Sequence, residues 1–165
     1  RKRVPEEFLC RTSFLGPGEE FSFQKETGEK VPVTVKAFKS TDEGVAFLIE
    51  AEGKVLYHAG DLNNWVWEGE PEEYNFRMSE AFHSELLKIA GNHIDVAFML
   101  LDPRQGKDFY LGMDDFMHMV GADIVFPMHF WGDFGVTERF KTLPCAADYA
   151  EKIMEIRCQG ESFQL

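Results

Sequence analysis

VLYHAGDLNN, residues 55–64, is the stretch on which the reading of this chain turns. Its apolar opening (Val55, Leu56, Tyr57) has strand character. The strand breaks at Gly60 and is followed at once by Asp61. A strand that stops at glycine and passes a carboxylate to the next loop holds that carboxylate on a rigid edge, as catalysis or metal binding requires. A second such piece lies far downstream. DIVFPMHF, residues 123–130, reads as a buried strand that ends by presenting His129. The chain is expected to be a scaffold that brings these two strand ends together.

Upstream of Tyr57 the pattern is β throughout. Phe8-Leu9-Cys10 reads as a short strand, Gly16-Pro17-Gly18 as a turn, and Glu20 to Phe23 alternates as an edge strand does. Thr27 to Lys30 is a turn. Val31 to Phe38 alternates and is rich in β-branched residues, with Pro32 placed where a strand end tolerates it. Val45 to Ala51 and Lys54 to His58 form a hairpin around Glu52-Gly53. Beyond Asp61 strands and helices alternate. Ser79 is expected to cap a helix over 81–90 that stops at Gly91, and Ile94 to Leu101 is a fully apolar strand. Phe109 to Val120 reads as a helix, Ile124 to Met128 as a buried strand, 131–144 as a loop, and Ala146 to Arg157 as a terminal helix. A β-meander followed by alternating strands and helices is an α+β or α/β fold. Helices pack on its sheet, and the apolar later strands imply cover on both sides.

The 165 residues are enough for one domain with its own core, and 44% hydrophobic content excludes a disordered chain. Sixteen Phe point to packed layers of large side chains. The net charge is -12, and the basic residues cluster only at Arg1-Lys2-Arg3, which speaks against a nucleic-acid-binding groove. No apolar run approaches the ~20 residues of a membrane span. Cys10, Cys145 and Cys158 are too few and too scattered for a disulfide framework or a cysteine zinc site, so a reducing, cytoplasmic setting is expected.

The five histidines are His58, His83, His93, His118 and His129. They form no His-x-His and no i, i+4 pair, so any metal site must be assembled from distant loops. Asp after Gly is ordinary turn chemistry, and on composition alone that is the simpler reading of Asp61. A buried, backbone-bonded histidine is likewise the simpler reading of His129. His58 reads as structural or supporting, His83 and His118 as helical, and His93 as a loop residue. Ser40-Thr41-Asp42 follows a strand end, where a capped turn is the plainer reading. Asp102 and Arg104 follow a buried strand and are placed to pair with each other. Gly-x-Ser-x-Gly, a phosphate loop and a dinucleotide fingerprint are all absent.

Several pieces occur in order: the hairpin, His-Ala-Gly-Asp at 58–61, a buried strand ending in Asp102-Pro103-Arg104, and Phe-Pro-Met-His-Phe-Trp at 126–131. Together they resemble the metallo-β-lactamase superfamily, most closely its uncharacterised bacterial hydrolase-like branch, over Val31 to Gly132. The resemblance implies an αβ/βα sandwich with one or two metal ions, zinc most often and manganese or iron as alternatives. It implies that Asp61 corresponds to the metal-bridging Asp and His129 to the last His ligand. The superfamily's His-x-His-x-Asp-His is absent and is expected upstream of Arg1, so residues 1–165 are read as the C-terminal part of a longer domain. The family's histidine after the strand ending near Phe38 is replaced by Lys39-Ser40-Thr41-Asp42. Asp42 is the candidate substitute there, with His58 nearby.

Two functions follow. One is a metal-dependent hydrolase acting on a small molecule, with weak or absent metal binding and no activity in this chain alone. The other is a non-catalytic homologue or interaction module. In both, uncovered sheet surface favours pairing with a second copy or with the missing N-terminal segment. Trp65, Trp67 and Trp131 are placed to line the mouth of the cleft, with aromatic packing as the equal alternative.

Overall fold

The computed structural model describes residues 4–24 and 32–164. Arg1-Lys2-Arg3, the turn expected at Thr27 to Lys30, and Val31 lie outside the described residues. Six strands form one sheet in chain order: β1 (Glu20–Gln24), β2 (Pro32–Lys39), β3 (Val45–Ala51), β4 (Lys54–His58), β5 (Val96–Leu100) and β6 (Ile124–Met128). β1 to β4 pair antiparallel, as a meander must, while β4–β5 and β5–β6 are parallel. The parallel pairs need crossovers, which α1 (Glu72–Leu87) and α2 (Leu111–Met119) supply. It follows that β2, β4, β5 and β6 all run the same way. The loops leaving them open onto one edge of the sheet.

Residues facing each other across the strands share a face. Leu48, Tyr57, Ala97, Met99 and Val125 lie on one face and are buried beneath Phe82 and Leu86 of α1 and Met113 and Phe116 of α2. Tyr57 stacks on Phe116 with ring centres 5.5 Å apart. The opposite face is also apolar, with Phe21, Val35, Phe47, Leu56, Phe98 and Phe126. Neither α1 nor α2 lies on it. Instead the terminal segments lie across it, with Phe163 packing edge-on to Phe126 at 5.1 Å. The expected cover on both sides is therefore helical on one side only. Among the described residues no helix is long and apolar enough to cross a membrane.

Four local expectations are corrected. Phe8-Leu9-Cys10 is not a strand but part of a 3-10 turn, Glu6–Arg11. The first long helix begins at Glu72, immediately after Pro71, with Glu72 and Glu73 favourably placed in its first turn. Ser79 therefore lies inside the helix. The first two turns bury almost nothing, so they carry no apolar stripe to read. The loop expected over 131–144 contains a short helix, α3 (Val136–Lys141), which buries Val136, Thr137 and Phe140. The expected terminal helix over 146–157 is absent. Its place is taken by 3-10 turns at Pro144–Ala146 and Ala150–Lys152, and Ile153 then bridges Val125. Met154 donates its N–H to the Val125 carbonyl at 2.8 Å, so an open strand edge outcompetes a weak helical pattern.

At the opposite edge, where the parallel strands begin, Asp95 ties β4 to β5. Its Oδ1 accepts from Lys54 Nζ at 2.6 Å and its Oδ2 from the Val55 N–H at 2.8 Å. The Lys54 hydrogen bond, joined by the Val55 N–H, holds the Asp95 carboxyl below the usual aspartate value. A depressed folded-state pKa contributes stability above the unfolded value of about 3.9 and loses it as pH falls through the folded value. NMR titration of the Asp95 carboxyl is expected to give a midpoint below the ordinary value. In Lys54→Met that midpoint moves back toward the ordinary value, and the acid-side loss of stability in urea melts becomes smaller. An unchanged midpoint in Lys54→Met would contradict this account of Asp95.

Candidate functional site

Gly60 makes the bend after β4. Its φ is 58°, and a Cβ there would lie 2.6 Å from the Val45 carbonyl oxygen, so only glycine fits the turn that delivers Asp61. Asp61 and His129 meet across 68 residues of sequence, Oδ1 to Nε2 at 2.9 Å. The other ring nitrogen, Nδ1, is buried without a hydrogen bond and faces Asp102 Oδ2 at 3.6 Å. Asp102 follows β5, and its side chain is 0% exposed. Burial alone would raise its pKa, but hydrogen bonds from Arg104 and Trp131 outweigh this and hold it below the usual range. Arg104 grips it through Nε at 2.9 and 3.1 Å and through Nη2 at 2.5 Å, and Trp131 Nε1 donates to it at 3.2 Å. Trp65, itself buried, donates its indole N–H to the Asp61 carbonyl at 2.9 Å and stands 6.0 Å from the His129 ring.

The histidine between two carboxylates is the chemical centre of this edge. A neutral imidazole has one N–H and one lone pair. If Nε2 carries the hydrogen for Asp61, the bare Nδ1 faces a buried carboxylate. If Nδ1 carries it, the Nε2 lone pair faces Asp61. A cation taken up by Nε2 together with the Asp61 carboxylate would remove the conflict. Tetrahedral donors ~2.0–2.2 Å from one zinc ion lie roughly 3.4 Å apart, so the pair, now at hydrogen-bond distance, would open by about half an ångström to share an ion. Among the described residues no third His, Cys, Asp or Glu joins Asp61 and His129 as a donor, so the fit is to part of a metal site.

The other expected residues fall nearby with different work. Asp42 is exposed, and its backbone N–H bonds to Ser40 Oγ at 3.1 Å, a capped turn. Its charge reaches Arg104. His58 Nδ1 accepts from the Gly60 N–H at 3.0 Å and so braces the bend. Partial desolvation holds the His58 pKa below its ordinary value, with Asp61 acting in the opposite sense. His83 bonds Asp115 at 2.8 Å, and His118 packs edge-on to Tyr149. Sequence reasoning treated Asp102 and Arg104 as a local pair and missed their link to His129. Nothing local announces a contact between residues 102 and 129. It also missed His93, Asp95 and Asp123, which cluster at the far edge. A cavity of about 690 Å³ lies on the back of the sheet, lined by Phe98, Phe126, Phe130, Phe134 and Phe163, and includes neither Asp61 nor His129.

No protein-family model and no curated protein matches the sequence. Among solved structures the chain is similar to a Thermotoga maritima protein of the metallo-beta-lactamase superfamily, assigned as a Zn-dependent hydrolase. Identity is 15% and the TM-score is 0.36, and the match covers 73% of this chain and 50% of that one. A TM-score of 0.36 lies below the level of a shared fold.

Behind Asp61 a polar network locks the loop. Thr41 Oγ1 donates to the Asn63 carbonyl at 2.7 Å and accepts from the Asn63 N–H at 3.1 Å. Asn63 Nδ2 donates to Gln105 Oε1 at 2.9 Å, and Gln105 Nε2 donates to the Asn64 carbonyl at 2.8 Å. Asn64 in turn receives Ser79 Oγ at 2.8 Å and donates to Asp115 at 2.8 Å. Gly112 of α2 abuts this network, and a Cβ there would come within 1.7 Å of Asn63 Oδ1. Gly112→Ala gains up to ~1 kcal/mol of helix propensity. The clash with a pinned, buried Asn63 is expected to outweigh it and destabilise the fold by about 1–3 kcal/mol. Urea melts followed by tryptophan fluorescence measure the change. A variant more stable than the parent would show that Asn63 is free to move.

Proposed function

We propose that this sheet edge is part of a metal-dependent hydrolase site of the metallo-β-lactamase type. Asp61 and His129 are two of its ligands, and zinc is the natural ion for a carboxylate–imidazole pair. The observation that carries the reading is His129 caught between Asp61 and Asp102, which a neutral imidazole cannot satisfy alone. A bound zinc ion supplies an acidified water and polarises an acyl or phosphoryl oxygen. The chain's own residues prepare for this. Asp102 stands 3.6 Å from Nδ1 on the far side of the His129 ring, Arg104 neutralises Asp102, and Trp65 holds the Asp61 backbone.

Two donors are fewer than the three or four of a working zinc site. The remaining ligands come, in this proposal, from an N-terminal segment of the same domain carrying His-x-His-x-Asp-His. The same shortage supports the second reading, a non-catalytic homologue in which the Asp61–His129 contact is simply a hydrogen bond.

Calorimetric titration with zinc separates the two. The hydrolase reading expects one weak site that Asp61→Ala or His129→Ala abolishes and His93→Ala leaves unchanged. Manganese and iron(II), run in parallel, fix the metal preference. Zinc uptake that survives Asp61→Ala but is lost in His93→Ala would place the ion at the far edge of the sheet and remove the hydrolase reading.

A further inference from the structure

Arg104 is more elaborately held than neutralising Asp102 requires. Its guanidinium carbon lies 4.4 Å from the centre of the Trp131 ring and 6.0 Å from that of Trp67. Trp131 is 68% exposed, an expensive position for an indole, yet its N–H is committed to the same carboxylate that Arg104 grips. The backbone is strained to put it there. His129 and Trp131 have φ values of 62° and 53°, left-handed conformations that bulky residues rarely adopt. The guanidinium is thus fixed on one edge by Asp102 and on one face by tryptophan, while its side chain stays 51% exposed.

The bonded atoms are Nε and Nη2. Nη1, with two N–H groups, engages no described residue. Among the described residues, Asp42 in the turn after β2 also acts on the Arg104 charge. An arginine whose ordering cost is already met, with an unused donor edge beside the reacting centre, is a receptor for an oxyanion.

We propose that Arg104, stacked on Trp131, is a specificity-determining residue that takes a small oxyanion group, phosphate or carboxylate, of the substrate. This rests on the reading of Asp61 and His129 as the reacting centre. No covalent step is involved. Trp131 acts as a positioning residue through Arg104.

The test is titration of the chain with inorganic phosphate and, separately, with acetate at constant ionic strength in chloride, with and without zinc. It is followed by NMR at the Arg104 Nε–H and the Trp131 Nε1–H. The expected result is saturable shifts with at least one anion, and the anion that binds identifies the group. In Arg104→Gln, read at Trp131, affinity falls at least about tenfold, as loss of a charge-assisted contact implies. Arg104→Gln strips Asp102 of its counter-charge and risks unfolding. Trp131→Leu keeps the ion pair, is read at Arg104, and is expected to weaken binding several-fold. No saturable response to either anion in either zinc condition overturns the proposal, as does unchanged affinity in both variants. Arg104-dependent binding without Asp61-dependent zinc uptake leaves the anion site standing and removes the metal reading alone.

Discussion

Parallel pairing of β4, β5 and β6 is the constraint on which everything at the candidate site depends. The three strands are aligned so that His58, Phe98 and Phe126 lie side by side. The residues that follow each strand therefore leave the sheet together. Asp61, Asp102 and His129 come from positions far apart in the chain and arrive at one line because three short strands point the same way. β2, in the same direction, adds the turn whose Thr41 clamps Asn63. The carboxyl ends of parallel strands are where such sheets place their chemistry, since helices occupy the connections and leave these loops free.

The polar side chains at this edge form a chain: Asp61, His129, Asp102, Arg104. Its least negotiable member is Asp102, which is completely buried. A buried carboxylate is costly unless paired and hydrogen-bonded, and Arg104 and Trp131 provide both. With Asp102 anchored, His129 lies between it and Asp61, hydrogen-bonded to Asp61 through Nε2. The strain at His129 and Trp131 is carried because the ring and the indole are held from several sides at once.

The two faces of the sheet are unequal. One is sealed by α1 and α2 into a continuous core. The other presents phenylalanines that the terminal segments cover in part, with Phe21 and Phe23 remaining 40% and 47% exposed. Exposed aromatic residues in one row mark a surface that gains by being covered.

Much of the fold was legible in the sequence because its signals are local. The meander, the Glu52-Gly53 hairpin and the strand at Ile124 to Met128 follow from alternation, turn residues and apolar runs. Helix limits were poorly legible where burial is sparse, as in the first turns of α1, and the segment over 146–157 was misread because a free strand edge claimed Ile153 and Met154. At the site, Asp61 and His129 could be singled out as strand-end residues, since a Gly-Asp bend and a terminal histidine are visible in one dimension. That Asp102 stands on the other side of the His129 ring, and that Arg104 and Trp131 share that carboxylate, were decided only by the tertiary structure. Parallel register brings together residues tens of positions apart, and no local pattern encodes which distant strand will be the neighbour.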